Sequence, residues 1–255
     1  MKIPTPADGI AWVTGASSGI GRELAVQLAK DGWVVAVSAR READLQSLAD
    51  AHPGQMIVAP LDVTDQAGVL AAVQKIEADS GRVIVRAVLN AGTYIRDTAA
   101  DFDVEVFKTQ VDVNLLGTAN CLAAVMPAML AAQRGQIGIV SSLAGLAGLP
   151  GAVTYSTTKA GLLAMAQSLK FDLNRADVAL SVILPGFVKT PLTAKNQFPM
   201  PFLMEVSDAA KAIMEGLDSG RFLVAFPGGL AWPLRFLRIL PAPLYFALVA
   251  RSTKW

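Results

Sequence analysis

The sequence predicts an α/β fold with one central, doubly wound and mostly seven-stranded parallel sheet. Two observations predict it. Short apolar runs rich in valine and isoleucine alternate with longer helical stretches between residues 10 and 225, which is typical of strand–helix–strand units with right-handed crossovers. The apolar runs are also continuous and do not alternate with polar residues, as expected for strands that helices cover on both faces.

The predicted strands occupy residues 10–13, 34–39, 56–60, 83–89, 136–141, 179–184 and 222–225. The predicted helices occupy residues 19–30, 42–51, 64–80, 104–132, 155–174 and 207–219, with a break near Gln110. Gly32 stands where a helix-ending glycine is expected, and Thr64 and Ser207 are suitable N-caps. We predict one domain over residues 1–228, with residues 229–255 as an apolar, basic extension that is not an independent domain.

Residues 113–133 carry no charge, and a helix of this length could span a bilayer. The stretch includes Asn114 and Pro127 and lies within the strand–helix alternation. We therefore expect a buried helix that packs on the sheet and on a partner subunit.

Composition excludes several classes of protein. The 22 lysines and arginines nearly balance 21 acids, so a nucleic-acid partner is not expected. Apolar residues make up 53% of the chain, which excludes disorder. A single cysteine, Cys121, and a single histidine, His52, exclude an internal disulfide and a metal site built on several of either. No secretory signal is predicted at the first residues, so we expect a cytoplasmic protein.

A glycine-rich segment joins the first strand to the first helix. It reads Thr14-Gly15-Ala16-Ser17-Ser18-Gly19-Ile20-Gly21 and is called the glycine turn below. Glycines let the backbone turn sharply, and a helix N-terminus offers N–H groups to a pyrophosphate. The expected contacts are Gly15, Ser17, Ser18, Gly19, Ile20 and Gly21; the alternative is a tight turn without a ligand.

The residues after the next strands suggest which dinucleotide binds. No acid ends the second strand at Ala39, and Arg40 and Arg41 follow at once. An acid there would favour NAD, whereas a guanidinium can bind a 2′-phosphate, so NADP(H) is favoured over NAD(H). The alternative is that both arginines only face solvent. We also expect the adenine amino group to donate to Asp62, and the backbone of Asn90, Ala91 and Gly92 to approach the cofactor.

Two side chains at the start of a predicted helix suggest proton transfer. Tyr155 and Lys159 are four residues apart and share one helix face. An ammonium group nearby lowers the pKa of a phenol, which ordinarily lies near 10. Tyr155 can then exchange a proton with an alcohol or carbonyl, and a hydroxyl of Ser141 or Ser142 can hold the substrate oxygen.

Together these motifs make the chain resemble the classical short-chain dehydrogenases/reductases over about residues 8–225. The matching pieces are Thr14–Gly21, Asp62-Val63, Asn90-Ala91-Gly92, Asn114, Ser142, Tyr155-Ser156-Thr157-Thr158-Lys159, Pro185-Gly186 and Thr190. The resemblance implies a Rossmann-like fold and a homodimer or homotetramer formed through the helices of Asn114 and Tyr155.

The resemblance also implies a catalytic tetrad. Ser142 would stabilise the substrate oxygen, Tyr155 would be the acid/base, and Lys159 would hold the nicotinamide ribose. Asn114 would hold a water that links Lys159 to solvent. Further implied cofactor contacts are Val63, Pro185, Gly186, Val188 through its backbone, and Thr190, with NADP selected through Arg40.

The resulting functional hypothesis is an NADP(H)-dependent oxidoreductase acting on a carbonyl or secondary alcohol. A segment resembling a lid, residues 193–205, carries Phe198 and Phe202, which favour an apolar or lipid-like substrate. One alternative is a 3-oxoacyl reductase of fatty acid metabolism. Another is an NADP-binding sensor or scaffold without catalysis.

The extension after residue 228 leaves two alternatives open. No acid follows Asp218, while five basic residues do, together with several aromatic ones. Such a segment can lie on the inner face of a membrane as an interfacial helix. It can also pack over the active site or on a partner subunit.

Overall fold

Seven parallel strands form one sheet in this computed structural model, which describes residues 2–196 and 198–253. The strands are β1 (Ile10–Thr14), β2 (Val35–Ser38), β3 (Met56–Val58), β4 (Ile84–Leu89), β5 (Gly135–Val140), β6 (Val178–Pro185) and β7 (Leu223–Phe226). Their order across the sheet is β3-β2-β1-β4-β5-β6-β7. The predicted doubly wound α/β fold is therefore confirmed.

Helices cover both faces of the sheet. Those of the described residues are α1 (Gly19–Lys30), α2 (Glu42–Asp50), α3 (Gln66–Ser80), α4 (Val104–Val111), α5 (Gly117–Ala132), α6 (Val153–Arg175), α7 (Val206–Asp218), α8 (Gly228–Leu237) and α9 (Ala242–Thr253). On one face, Leu24 of α1 and Ile213 of α7 belong to one hydrophobic cluster. On the other, Leu122 of α5 and Leu162 of α6 belong to a second.

The strand order reverses beside β1. The chain runs outward from β1 through β2 to β3 and then returns to β4 on the other side of β1. In doubly wound sheets, ligands bind outside the carboxyl ends of the strands at such a reversal. The residues after β1 and β4 therefore meet at the expected ligand crevice.

The predicted helix over residues 104–132 is continuous. Its expected break near Gln110 is instead a π-helical turn, Asp112–Leu116, between α4 and α5. Among the described residues, Val104–Ala131 is the one helix with the length and composition to cross a membrane. Cys121, Leu122 and Val125 of this helix are buried in the core, as predicted for the uncharged stretch.

Two helix starts differ from the prediction. Thr64 does not cap α3, because its N–H and hydroxyl donate to Asp62 Oδ1 at 2.9 and 2.8 Å; the cap is Asp65, whose carboxylate accepts from Gly68. Ser207 lies inside α7, whose N-cap is the extended Glu205. Met204, the residue before Glu205, pairs with Val188 as extended backbone, so the helix begins directly after this pairing.

The extension forms two helices. α8 contributes Ala231 and Leu234 to the core on the α5–α6 face. α9 contacts the rest of the protein through Tyr245, whose hydroxyl donates to the carbonyl of Gly148, and through the buried Val249. α8 is thus part of the core, whereas α9 lies on the surface.

Candidate active site

The glycine turn lies at the carboxyl end of β1, against the residues that follow β4. Gly15 and Gly19 adopt φ values of +69° and +55°, which favour glycine. A Cβ atom at Gly15 would lie 2.9 Å from the Cα of Ala91, and one at Gly21 would lie 2.4 Å from the Gly15 carbonyl oxygen. The backbone therefore has this shape only with glycine at these positions.

The turn leads directly into the first turn of α1. Ser18 is the N-cap residue and makes no side-chain capping hydrogen bond, so it does not occupy the helix N–H groups. Ile20 is partly buried and packs against the core on the α1 face. A helix start of this kind attracts an anion through its N–H groups and its dipole.

Both arginines after β2 lie near the expected nucleotide site. The Arg41 guanidinium donates to Ser17 Oγ at 3.0 Å and pairs with Asp44, so Arg41 is fixed against the glycine turn. Arg40 is exposed. The sequence predicts a 2′-phosphate contact at Arg40, whereas the hydrogen bond from Arg41 to the turn cannot be predicted from the sequence.

Asp62 and Val63 follow β3. Hydrogen bonds from Thr64 hold the pKa of the Asp62 carboxyl below its ordinary value of 3.8, and the charge of Arg40 adds to this effect. The Thr64 bonds use Oδ1, which leaves Oδ2 as an acceptor. The carbonyl of Val63 accepts from Asn120 Nδ2 at 2.9 Å and so ties this segment to α5.

Asn90 ties the end of β4 to the end of β1. Its side-chain amide donates to the carbonyl of Thr14 at 3.1 Å, and its main-chain N–H donates to Thr14 Oγ1 at 3.0 Å. Ala91 donates to the same hydroxyl at 3.1 Å. Gly92 faces Asn114 and Lys159, because a Cβ atom there would lie 3.2 Å from Asn114 Oδ1 and 3.5 Å from Lys159 Nζ.

The π-helical turn carries the fully buried Asn114 into the site. Its Oδ1 accepts from the N–H of Thr93 at 2.7 Å, and its Nδ2 donates to the Thr93 carbonyl at 3.0 Å and to Thr158 Oγ1 at 3.1 Å. Asn114 thus joins the segment after β4 to α6. π-helical turns are frequent at functional sites, and the water predicted at Asn114 stays a prediction.

The two serines after β5 have different surroundings. The Ser141 hydroxyl is buried and donates to the carbonyl of Lys159 at 2.7 Å. Ser142 is partly exposed, accepts from the N–H of Ala144 at 3.1 Å and donates to the carbonyl of Pro185 at 3.5 Å, and its hydroxyl lowers the pKa of the Tyr155 phenol. Ser142 is therefore the serine whose hydroxyl shares the site with Tyr155.

Lys159 is buried under the sheet edge, one helical turn after Tyr155. Its Nζ donates to the carbonyl of Val140 at 3.0 Å and lies 5.6 Å from the centroid of the Tyr155 ring. Burial lowers the pKa of Lys159 to about 8. The amine can therefore change its charge near neutral pH.

The pKa of Tyr155 shifts in the direction opposite to the sequence-based prediction. Burial raises it to about 12, the Ser142 hydroxyl lowers it by less, and Tyr94 adds to the rise. In the protein chain alone, loss of hydration thus outweighs the effect of Ser142. A phenol in this setting holds its proton, which suits a general acid.

Two residues near Tyr155 were missed by sequence reasoning. Tyr94 packs edge-on against the Tyr155 ring, 5.1 Å between centroids, and its hydroxyl donates to the carbonyl of Gly151 at 3.0 Å. The buried Asp97 accepts from the N–H of Thr154 at 2.9 Å and from its hydroxyl, and so fixes the start of α6. No local motif marks either residue, because both act through residues about sixty positions away.

The segment after β6 completes the site. A Cβ atom at Gly186 would lie 3.0 Å from Pro227, so Gly186 lets Pro185 and the strand end approach β7 and α8. The pairing with Met204 uses the N–H of Lys189 and the carbonyl of Phe187, and does not use the N–H of Val188. Thr190 packs against the glycine turn, since a Cβ atom at Gly19 would lie 3.0 Å from the Thr190 methyl group.

These residues fit a dinucleotide. The glycine turn leaves a backbone hollow that a Cβ atom at its glycines would fill, and the Arg41 guanidinium lies beside it. All residues predicted for the cofactor and the tetrad lie at the carboxyl edge of the sheet or directly beside it. Within residues 2–196 and 198–253, no group of three or more histidine, cysteine or acidic side chains is arranged to hold a metal ion.

Comparison with known proteins gives consistent results. A family model described as short chain dehydrogenase matches residues 9–199. An uncharacterized oxidoreductase of Myxococcus xanthus is 42% identical over 244 residues, which cover 94% of this chain and 96% of that protein.

Solved structures share the fold. A 3-oxoacyl-[acyl-carrier protein] reductase of Brucella melitensis with bound NAD is 25% identical, with a TM-score of 0.77, covering 91% of this chain and 97% of that one. ElxO with bound NADP is 24% identical, with a TM-score of 0.79 and coverage of 88% and 98%, and shows likeness of fold alone. The chain is therefore an oxidoreductase of the classical short-chain dehydrogenase/reductase family, with a Rossmann-like nucleotide-binding fold.

Proposed function

We propose that this protein is an NADP(H)-dependent reductase that interconverts a carbonyl and a secondary alcohol on an apolar or lipid-like substrate. The observation that carries the proposal is the partly buried Tyr155 phenol, close enough to Ser142 for that hydroxyl to affect its pKa and one helical turn from Lys159, at the sheet edge that carries the glycine turn. Residues 1–228 form the domain that carries this chemistry, and residues 229–255 form its C-terminal extension.

Each polar group of the site has a separate role in the proposed reaction. The bound nicotinamide supplies or accepts the hydride. Ser142 donates a hydrogen bond to the substrate oxygen, and Tyr155 gives that oxygen its proton during reduction. Lys159 binds the ribose hydroxyls of the nicotinamide nucleotide, and Asn114 holds the water through which the proton of Tyr155 is replaced.

We assign the cofactor contacts to the residues that the sequence predicts for them. The pyrophosphate would be held by the glycine turn, through Gly15, Ser17, Ser18, Gly19, Ile20 and Gly21. The 2′-phosphate would be bound by Arg40 and Arg41, and the adenine would be contacted by Asp62 and Val63. The nicotinamide half would be held by Asn90, Ala91, Gly92, Pro185, Gly186, Val188 and Thr190. Known structures of this fold contain NADP in one case and NAD in another. The preference for NADP(H) rests on the two arginines and the missing acid at Ala39.

A 3-oxoacyl reductase is the second candidate, because a solved structure with 25% identity has that activity. Docking of an acidic carrier protein would need basic residues near the lid. Lys189 there is paired with Glu205 at 3.2 Å, which leaves Lys195 as the other lysine of this segment. We therefore favour a free apolar substrate.

We further propose a cytoplasmic homodimer or homotetramer. Phe171 on α6 is 73% exposed, and Leu116 and Leu130 beside and within α5 are also exposed. These apolar side chains lie on the helices through which subunits of this kind are expected to associate.

Turnover tests the proposed reaction. We expect purified protein to oxidise NADPH in the presence of medium- and long-chain aldehydes or ketones. Tyr155→Phe should lower kcat by about 100- to 10,000-fold, the range typical of a lost general acid, while it still binds NADPH. Tight NADPH binding by wild type without turnover of any carbonyl would instead support the sensor alternative.

Two substitutions test the cofactor preference. Arg40→Ala and Arg41→Ala should each weaken NADPH binding by roughly 10- to 100-fold, because each removes a charge-assisted hydrogen bond to the 2′-phosphate. Binding of NADH should change little. Arg175→Ala, at an exposed position far from the glycine turn, is the matched control. Equal weakening of NADH and NADPH would contradict the assignment.

Stability against pH tests the burial of Lys159. Its pKa is about 8 in the folded chain and 10.5 in water, so between these values the unfolded chain binds more protons and folding stability rises with pH. We expect Lys159→Met to be inactive yet more stable than wild type at pH 7, by up to about 3 kcal/mol. The difference should shrink as the pH rises from about 8 to 10. A constant difference across this range would contradict the burial argument, and Lys75→Met, at an exposed lysine, is the control for removal of a lysine charge.

A further inference from the structure

The outer side of α8 is apolar although it faces solvent. Trp232 and Phe236 are one helical turn apart and 69% and 58% exposed, and Ile239 just beyond the helix is 77% exposed. The opposite side of the same helix, with Ala231 and Leu234, is already buried in the core. α8 is therefore apolar on both sides, which is unusual for a helix on a protein surface in water.

α9 adds to the same exposed surface. Leu244, Phe246 and Leu248 are exposed, whereas Tyr245 and Val249, one turn apart, face the protein. A cavity of about 500 Å³ lies between α9 and residues 144–153. Few side chains thus hold α9 in place, and most of its apolar surface has no cover within the described chain.

The lid joins this surface. Phe202 packs on the start of α8, since a Cβ atom at Gly229 would lie 2.7 Å from its ring. Phe198 and Leu203 of the lid are exposed as well. On the other side, Tyr245 bonds to Gly148, in the loop that follows Ser142. The exposed apolar residues of the lid, α8 and α9 are called the apolar rim below, and they adjoin the loop after Ser142 through Tyr245 and the segment after β6 through the lid.

The charge around the apolar rim identifies its partner. No acid follows Asp218 in the sequence, while Arg235, Arg238, Arg251 and Lys254 do. The Arg235 guanidinium lies 5.3 Å from the centroid of the Trp232 ring, and Arg238 and Arg251 are exposed. A second copy that used α8 and α9 would bring arginines against arginines, since residues 219–253 include no acid. Anionic lipid headgroups above an apolar layer complement both properties.

We propose that the apolar rim docks on the surface of an anionic lipid bilayer, with its aromatic and aliphatic side chains at the boundary between headgroups and acyl chains. The arginines contact the headgroup phosphates. The docked surface adjoins the loop after Ser142 and the segment after β6, so an apolar substrate passes from the bilayer to Tyr155 without crossing water. This last step rests on the proposed function, whereas the docking itself does not.

Vesicle binding of the full-length protein tests the proposal. We expect it to float with vesicles of phosphatidylglycerol and phosphatidylcholine and much less with phosphatidylcholine alone. Trp232→Ser combined with Phe236→Ser and Phe246→Ser should abolish flotation. Each of Arg235→Gln, Arg238→Gln and Arg251→Gln should weaken it roughly 5-fold, and added salt should weaken it further.

Controls separate docking from folding and from catalysis. Leu70→Ser removes an exposed apolar residue on α3, outside the apolar rim and outside the helices proposed to join subunits, and should leave flotation unchanged. NADPH binding checks that each variant is folded, and flotation requires no turnover. Wild type that fails to bind anionic vesicles would overturn the proposal. So would a triple serine variant that keeps flotation, or one that changes the oligomeric state of the protein in solution, because the rim would then cover another subunit.

Discussion

Burial of the Lys159 amine is the constraint on which the active site depends. Desolvation of an ammonium group is costly, and here it lowers the pKa of Lys159 to about 8. The surroundings offset part of this cost through the Val140 carbonyl, while Ser141 fixes the backbone of Lys159 itself. The same burial holds the proton on Tyr155. A proton donor and an amine whose charge can change near neutral pH are thereby held one helical turn apart.

The sheet makes this burial feasible because several strand ends converge there. Asn90 joins the ends of β1 and β4, and Asn114 joins the segment after β4 to α6. The π-helical turn is what allows a side chain in the middle of a long helix to reach this point. Asp97 fixes the first turn of α6 from the other side. Hydrogen bonds between distant segments, and not local sequence, thus set the position of Tyr155.

The fold could be predicted from the sequence because strand–helix alternation and continuous apolar strands are local patterns. The glycine turn could be placed for the same reason, since it lies directly between β1 and α1. The roles of Tyr94 and Asp97 could not be predicted, because their partners are far along the chain. The direction of the Tyr155 shift was predicted wrongly, because charge can be read from a sequence whereas the degree of burial cannot.

The central claim is that burial keeps Tyr155 protonated until the positive charge of an oxidised nicotinamide stands beside it. The most direct measurement is the phenolate absorbance of wild type minus that of Tyr155→Phe, followed from about pH 8 to 11 with and without NADP⁺. In the protein alone we predict that no more than about a tenth of Tyr155 is phenolate even at pH 11, in accord with a pKa of about 12, and that the phenolate appears at lower pH once NADP⁺ is bound. A phenol that titrates near 10 in both cases would contradict the account.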